Sequence, residues 1–157
     1  MKSVFITGTD TGIGKTVVTG LLARYLNEYK VKVITQKWIQ TGSRFTAEDI
    51  VFHLELMGKK SSDIKKYLPF VCPYIFKFAS SPHLAAKLEK ASINTGKIKN
   101  AFKILRKNFD VVIVEGLGGV LVPINKDKLV IDIACDLKLP AIVVAGNKLG
   151  AINHTFL

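Results

Sequence analysis

The feature that most constrains this chain is a glycine-rich turn near its start, Gly8 to Thr16, which reads Gly-Thr-Asp-Thr-Gly-Ile-Gly-Lys-Thr. An apolar stretch precedes the turn, and apolar residues at helical spacing follow it. A strand, a glycine-rich turn and a helix in this order are typical of a phosphate-binding loop, because glycines let backbone N–H groups converge on phosphate oxygens and the helix N-terminus adds positive charge. Lys15 would neutralise phosphate charge, and the Thr16 hydroxyl would bind Mg²⁺. We therefore expect this loop to bind a nucleotide.

The spacing of the loop departs from the plain pattern G-x-x-x-x-G-K-[ST]. Thr9 stands at the first position of that pattern, and the glycine lies one residue earlier, at Gly8. The alternative interpretation is an ordinary strand-to-helix turn that binds nothing. The flanking elements and the Gly-Lys-Thr sequence at its end favour the phosphate-binding loop.

The hydrophobic pattern predicts an α/β fold with a mostly parallel sheet flanked by helices. A strand at 2–8, a helix at 15–27 and a strand at 31–36 form a βαβ unit, whose strands are parallel and whose crossover is right-handed. Further buried strands are expected at 110–115 and 141–146, with a short strand or extended segment at 120–124. Helices are expected from Thr46 as N-cap, from Ser81-Pro82, over 95–107, over 129–137 and from Ala151, and an extended segment over 67–78.

The charge balance raises the question of a nucleic-acid partner. The 157 residues include 23 basic and 12 acidic residues, which gives a net charge of +11. The only arginines are Arg24, Arg44 and Arg106, whereas proteins that read a groove depend heavily on arginine. The lysines are also spread along the chain, so we expect them to be solvated or to attract anionic substrates, and we expect no nucleic-acid partner.

The sequence also favours a cytoplasmic protein without a membrane partner. No apolar run reaches the ~18 residues that a membrane-spanning helix needs, and the apolar run at the start is too short for a signal peptide. Cys72 and Cys135 have no metal or redox spacing, which fits a reducing compartment.

Four polar clusters follow or flank the predicted strands at the edge where parallel sheets bind ligands. They are residues 8–16, 37–41, 115–118 and 147–153. Glu115 ends a hydrophobic strand as a Walker-B acid does, and could hold Mg²⁺ beside Thr16, although a solvated strand-terminal glutamate is the alternative. Asp49 is a candidate second carboxylate or a surface helix residue.

The other polar candidates allow two interpretations each. Lys37 could stabilise charge during phosphoryl transfer or lie at the surface, and Thr41 could contact a substrate or belong to a turn. We expect the side chains of Lys15 and Lys37 to be exposed in the crevice. His53, His83 and His154 have no metal spacing, so structural or surface roles are expected for them.

Taken together, these motifs resemble the dethiobiotin synthetase family over the whole chain and in the right order. The motifs are Gly8-Thr9-Asp10-Thr11-x-x-Gly14-Lys15-Thr16, Lys37-x-x-x-Thr41-Gly42, Ser81-Pro82-His83, Val114-Glu115-Gly116-x-Gly118-Gly119 and Lys148-Leu149-Gly150-x-x-Asn153-His154. The resemblance implies a P-loop NTPase-like three-layer fold in which residues 1–157 are a single ATP-dependent ligase domain. It also implies the synthesis of dethiobiotin, ADP and phosphate from 7,8-diaminopelargonate, CO₂ or bicarbonate, and ATP with Mg²⁺.

The resemblance also assigns roles by position. Lys37 would be the catalytic lysine together with Lys15, and Thr16, Asp49 and Glu115 would hold Mg²⁺. Thr41 would contact the substrate, and the segment with Gly150 and Asn153 would reach the substrate of a partner in a homodimer. The nucleotide would lie against residues from three parts of the chain: Gly12, Ile13, Gly14, Lys15, Thr16, Val17, Asp49, Glu115, Gly116, Leu117 and Gly118.

Three features depart from the family pattern. Gly12 replaces a glutamate found in some members, Trp38 stands where a proline is common, and members usually continue beyond residue 157. The last point predicts that the domain is incomplete at its C-terminus, with the last strands of the sheet missing.

Two other classes of protein remain as alternatives. A cobyrinic acid amidating enzyme has a similar domain, but Lys37 and Thr41 favour the diamine substrate. A ParA/MinD-like ATPase acting on DNA or a membrane surface would suit the charge, but it carries a second lysine early in the loop, where Asp10 stands here.

Overall fold

The computed structural model describes residues 3–156. Its strands are β1 (Ser3–Gly8), β2 (Val33–Lys37), β3 (Ile39–Thr41), β4 (Tyr74–Phe76), β5 (Val111–Glu115) and β6 (Ala141–Val144). Its helices are α1 (Lys15–Glu28), α2 (Glu48–Leu56), α3 (Leu68–Val71), α4 (Pro82–Leu88), α5 (Thr95–Asn108), α6 (Val130–Asp136) and α7 (Ala151–Phe156), and a 3₁₀ helix spans Ser61–Tyr67. Within the described range, none of these helices is long and apolar enough to cross a membrane.

The main sheet is parallel, as the sequence predicts. Its four strands lie in the order β2-β5-β1-β6, and β3 and β4 form a separate parallel pair. The register between β2 and β5 places Lys37 beside Glu115, and the register between β1 and β5 places Ile6 on the other side of Glu115. Because all four strands run the same way, their carboxyl ends meet at one edge of the sheet.

Helices cover both faces of this sheet, and the alternation of side chains decides which residues face which layer. Val4, Ile6 and Ile113 pack with residues of α1 on one face, whereas Phe5, Val112 and Val114 belong to the larger core on the other face, which includes buried residues of α5. Glu115 follows Ile113 by two residues and therefore points toward α1. The three-layer α/β architecture is confirmed.

Several local predictions are wrong. Thr46 does not cap a helix: α2 begins at Glu48 after Ala47, with no side-chain cap bond. The segment 67–78 is not simply extended, because Tyr67 and Val71 bury their side chains from helical turns before β4 begins. Of the two possibilities for residues 120–124, a short strand or an extended segment, the strand is not found, and the segment has an isolated bridge between Pro123 and Leu129.

The strand β6 is parallel, as expected, but it is not buried. Ile142 and Val143 are 39% and 53% exposed. The reason lies in the sheet order, since β6 is the last of the described strands and pairs with β1 alone.

The helices α1 and α2 pack closely at Gly20, and this contact offers a test of the fold. A methyl group at Gly20 would lie 2.6 Å from Leu56 Cδ1 and 3.3 Å from His53 Cα. We expect Gly20→Ala to lower the free energy of unfolding by about 1–3 kcal/mol through overpacking, which exceeds the roughly 0.5–1 kcal/mol that alanine gains over glycine in a helix. Denaturant unfolding would measure this change in the free energy of unfolding.

The matched control is the double variant Gly20→Ala with Leu56→Ala. Removing the Leu56 side chain relieves the shortest of these contacts, so we expect the two changes to be less than additive. A Gly20→Ala protein as stable as the unaltered one would contradict the close packing of α1 on α2.

Candidate active site

The phosphate-binding loop lies between β1 and α1, where the sequence predicts it. Gly12 and Gly14 have φ angles of +74° and +101°, a region that side chains rarely adopt and that glycine allows. The helix α1 begins at Lys15, so the first backbone N–H groups of its N-terminus have no partner inside the helix. Ile13, Lys15, Thr16 and Val17 therefore occupy the positions from which a P-loop binds anions.

Lys15 folds back over the loop. Its Nζ donates a hydrogen bond of 2.6 Å to the backbone oxygen of Asp10, and the residue is only 6% exposed. Burial lowers the pKa of Lys15 and outweighs the opposite effect of the Glu115 charge. The expectation of an exposed Lys15 side chain is wrong, because the loop wraps around it.

The carboxylate of Glu115 is the most fully bonded group of the site. Its Oε1 accepts from Thr16 Oγ1 at 3.0 Å and from Lys37 Nζ at 2.9 Å. Its Oε2 lies 2.7 Å from His53 Nε2, and the side chain is 1% exposed. Burial acts to raise the pKa of Glu115, but the hydrogen bonds and charges of His53 and Lys37 outweigh it and hold that pKa at about 2.

Lys37 pairs with two carboxylates. Its Nζ forms ion pairs with Glu115 and with Asp49 in the first turn of α2. Burial acts to lower the pKa of Lys37, but the charges of Glu115 and Asp49 outweigh it and raise that pKa. The residue is 7% exposed, so the expectation that Lys37 is exposed is also wrong, and its two acidic partners explain how the charge is tolerated.

Trp38 is buried in the core directly after Lys37. The indole is fully buried, stacks on Phe5 with 5.4 Å between ring centroids, and donates from Nε1 to Gln36 Oε1 at 3.2 Å. Trp38 forms a bend directly after β2, whose last residue, Lys37, forms ion pairs with Asp49 of α2 and with Glu115. The departure from proline at position 38 therefore leaves Lys37 at the site.

His53 is the residue that sequence reasoning missed. The expected role was structural or at the surface, and the residue is fully buried with its Nε2 at the Glu115 carboxylate. Asp49 and His53 are four residues apart in α2, so they lie on one helix face, and this spacing was the available signal. His83 and His154 are both exposed.

A cavity of about 510 Å³ opens beside Lys37 and contains several predicted residues. It is lined by Thr11, Lys37, Gln40, Thr41, Asp49, Ala79, Ser80, Ser81, Pro82, Leu117, Gly118 and Val122. Gly116 follows β5 and donates its N–H to Ile6 O at 2.8 Å. The cavity therefore lies where the ends of β2 and β3 meet the segment after β5, and its lining is more apolar than polar.

Gly150 and Asn153 lie away from this cluster. Gly150 precedes α7 and Asn153 lies within it, exposed. A link between this segment and the phosphate loop is the ion pair between Lys148 and Asp10, at 3.5 Å. The structure thus brings together the site residues from the first three polar clusters (8–16, 37–41 and 115–118), but not Gly150 and Asn153.

The donor set suits Mg²⁺. Mg²⁺ prefers oxygen ligands and usually keeps waters and phosphate oxygens beside one or two carboxylates. Thr16 and Glu115 are within hydrogen-bond distance of each other, and Asp49 reaches the same ammonium group as Glu115. Among residues 3–156 there is no cluster of three or more His, Cys, Asp or Glu side chains that could hold a metal ion.

Comparison with known proteins decides the family. A family model described as an AAA domain matches residues 2–157. The chain is 45% identical over 156 residues to the ATP-dependent dethiobiotin synthetase of Pasteurella multocida, a match that covers 99% of this chain and 73% of that protein. The chain belongs to the dethiobiotin synthetase family. A second member, from Haemophilus ducreyi, is 42% identical over 99% of this chain and 74% of its own length.

A solved structure supports the fold of this dethiobiotin synthetase family member. A ParA family ATPase from Chlorobium tepidum superposes with a TM-score of 0.54 at 15% identity, over 98% of this chain and 65% of that one. At this identity the likeness shows a P-loop NTPase-like fold and nothing about partners.

The bonding of Glu115 predicts an acid-dependent loss of stability. Its pKa of about 2 lies below the ordinary value of 4.5, so its contribution is complete above pH about 4.5 and is lost as the pH falls toward 2. By the size of this shift, the contribution is on the order of 3 kcal/mol. We expect the free energy of unfolding to fall more steeply between pH 4.5 and 2 in the unaltered protein than in Glu115→Gln. Parallel curves for the two proteins would contradict this bonding.

Proposed function

We propose that this protein is an ATP-dependent dethiobiotin synthetase, a cyclo-ligase of biotin biosynthesis that forms carbon–nitrogen bonds. Its substrates are 7,8-diaminopelargonate, CO₂ and ATP, and its products are dethiobiotin, ADP and phosphate. The observation that carries the proposal is the position of the Lys37 ammonium, which lies beside the phosphate loop and lines the 510 Å³ cavity. Family membership supports the same reaction.

The reaction has three steps. One amine of the diamine adds to CO₂ and loses a proton, which gives a carbamate. A carbamate oxygen attacks the γ-phosphorus of ATP, the bond to ADP breaks, and a carbamic–phosphoric anhydride forms. The second amine attacks the carbonyl carbon, loses a proton and expels phosphate, which closes the ureido ring.

In this proposal the chain contributes position and positive charge rather than a covalent intermediate. Lys15 and the backbone of residues 12–17 bind the β- and γ-phosphates, and Lys37 stabilises the carbamate and the transferring phosphoryl group. Desolvation strengthens these interactions, because charges attract more strongly away from water. The burial of both lysines supports this assignment.

Thr16, Asp49 and Glu115 are the residues that would hold Mg²⁺. When bound, Mg²⁺ neutralises charge on the phosphates and orients them. Lys37 shares the two carboxylates of this set, so the same acidic groups also hold the catalytic ammonium near the phosphates.

The cavity beside Lys37 is the proposed diamine site. The Thr41 hydroxyl and the Gln40 amide oxygen can accept hydrogen bonds from amines, and Gln40 Oε1 is buried without a partner among the described residues. Gly116, Leu117 and Gly118 form the wall between nucleotide and diamine in this proposal.

The assembly and location follow the family expectation. We propose that residues 1–157 act as a single ligase domain in a cytoplasmic homodimer, in which Gly150 and Asn153 reach the diamine of the partner. Neither nucleic acid nor a membrane surface is a partner in this reaction. ATP-dependent cosedimentation with DNA or liposomes at physiological salt would contradict this part.

Replacing either site lysine is expected to abolish synthesis. We expect Lys37→Ala and Lys15→Ala to form no dethiobiotin when incubated with the diamine, bicarbonate, Mg²⁺ and ATP, as measured by mass spectrometry. The matched control is Lys103→Ala, which removes an exposed lysine from α5. If Lys37→Ala turned over substrate as fast as the control, Lys37 would not be the catalytic lysine.

The proposed metal ligand Glu115 allows a separate binding test. We expect Glu115→Gln to weaken Mg²⁺-dependent ADP binding, because a neutral amide is a poorer Mg²⁺ ligand than a carboxylate. Calorimetric titrations with and without Mg²⁺ would measure this difference. An unchanged Mg²⁺ dependence would count against Glu115 as a ligand.

A further inference from the structure

We propose that His53 is a positioning residue for Glu115: its imidazole holds one carboxylate oxygen, so that the other is presented to Thr16, Lys37 and the Mg²⁺ of the nucleotide complex. The inference rests on the proposed function for the identity of the bound ion. The contact between His53 and Glu115 is observed in the structure and does not depend on that function.

The two oxygens of Glu115 have separate partners. Oε1 accepts from Thr16 and Lys37, which come from the loop end of α1 and from β2, and Oε2 accepts from His53 alone among the described residues. A carboxylate held from both sides cannot rotate about its last torsion without breaking a hydrogen bond. The hydrogen bond from His53 to Oε2 therefore fixes the direction of Oε1, which faces the phosphate loop.

The surroundings of His53 specify which ring nitrogen carries the proton. Glu115 is an acceptor, so Nε2 must be the donor across the 2.7 Å contact. Nδ1 is buried and has no hydrogen-bond partner within residues 3–156. The contact with Glu115 therefore requires a proton on Nε2, whatever the state of Nδ1.

Helix packing holds the ring in place. One turn of α2 separates Asp49 from His53, so a single helix supplies both the second acidic partner of Lys37 and the support of Glu115. On α1, one turn separates Thr16 from Gly20, where the absence of a side chain brings α2 close. The contact of the two helices therefore sets the distance from Thr16 to the His53–Glu115 pair.

Removing the imidazole is expected to release this arrangement. Oε2 would then be a buried anionic oxygen without a donor, which is costly, and the carboxylate would turn to share another donor. Lys37 is the nearest one, since it already bonds Oε1 at 2.9 Å. Groups that orient metal ligands typically contribute about 10–100-fold to metal affinity.

The test measures Mn²⁺ binding in the presence of ADP by electron paramagnetic resonance, with Mn²⁺ in place of Mg²⁺. We expect His53→Leu to weaken Mn²⁺ binding about 10–100-fold. His53→Gln should restore most of it, because the glutamine amide can donate from the position of Nε2. His83→Leu, at an exposed histidine of α4, is the matched control.

Two outcomes of this titration would overturn the inference. One is Mn²⁺ binding by His53→Leu that equals binding by the control. The other is equal weakening in the leucine and glutamine variants, which would assign the effect to shape rather than to the donor. If the unaltered protein itself binds no Mn²⁺ with ADP, the proposed function fails instead.

A second measurement decides the contact without any ligand. In the metal-free protein, ¹⁵N chemical shifts of His53 should show a proton on Nε2, and Glu115→Gln should change the Nε2 shift. A ring without a proton on Nε2, or one that does not respond to Glu115→Gln, would overturn the positioning role whatever the metal titration gives.

Discussion

The site depends on one buried carboxylate, that of Glu115, and on the three donors around it. Thr16, Lys37 and His53 come from α1, β2 and α2, and each bonds this group within 3.0 Å. The parallel register places Lys37 directly beside Glu115, and the alternation of side chains along β5 turns Glu115 toward the two helices. The phosphate loop, the sheet and α2 are thus joined at a single side chain.

This arrangement explains how charged side chains that are less than 10% exposed are tolerated. Taking a lysine or a glutamate out of water is costly unless it is paired and its hydrogen-bonding groups are satisfied. Lys37 has two acidic partners, and Glu115 has donors on both oxygens. The same pairing gives the site an ammonium and carboxylates in fixed positions, which phosphoryl transfer needs more than it needs a covalent catalyst.

Much of this could be predicted from local sequence, because the informative residues follow strands whose hydrophobic pattern is plain. The loop at residues 8–16 and the approximate ends of β2 and β5 are where the pattern puts them, and a parallel sheet brings such ends together. The exposure of β6 and the burial of Lys15 and Lys37 could not be predicted. They depend on which elements cover a strand or a side chain, and hydrophobic periodicity does not contain that information.

His53 shows more clearly what could not be predicted from the sequence. A lone histidine in an amphipathic helix has no motif, and its partner lies 62 positions away in the chain. Its spacing from Asp49 acquires meaning only when α2 is seen to pack on α1 beside Glu115. Trp38 is a similar case, since its place in the core depends on packing such as the stacking with Phe5.

The carboxyl ends of these strands are proposed to form one phosphate-binding centre around Glu115. A crystal structure with Mg²⁺ and ADP tests it most directly. We expect the phosphates against residues 12–17, the metal bonded to Thr16 Oγ1 and a Glu115 oxygen, and the ammonium groups of residues 15 and 37 facing the phosphates. Nucleotide bound elsewhere, or a metal far from Glu115 with Lys37 turned away from the loop, would contradict the account.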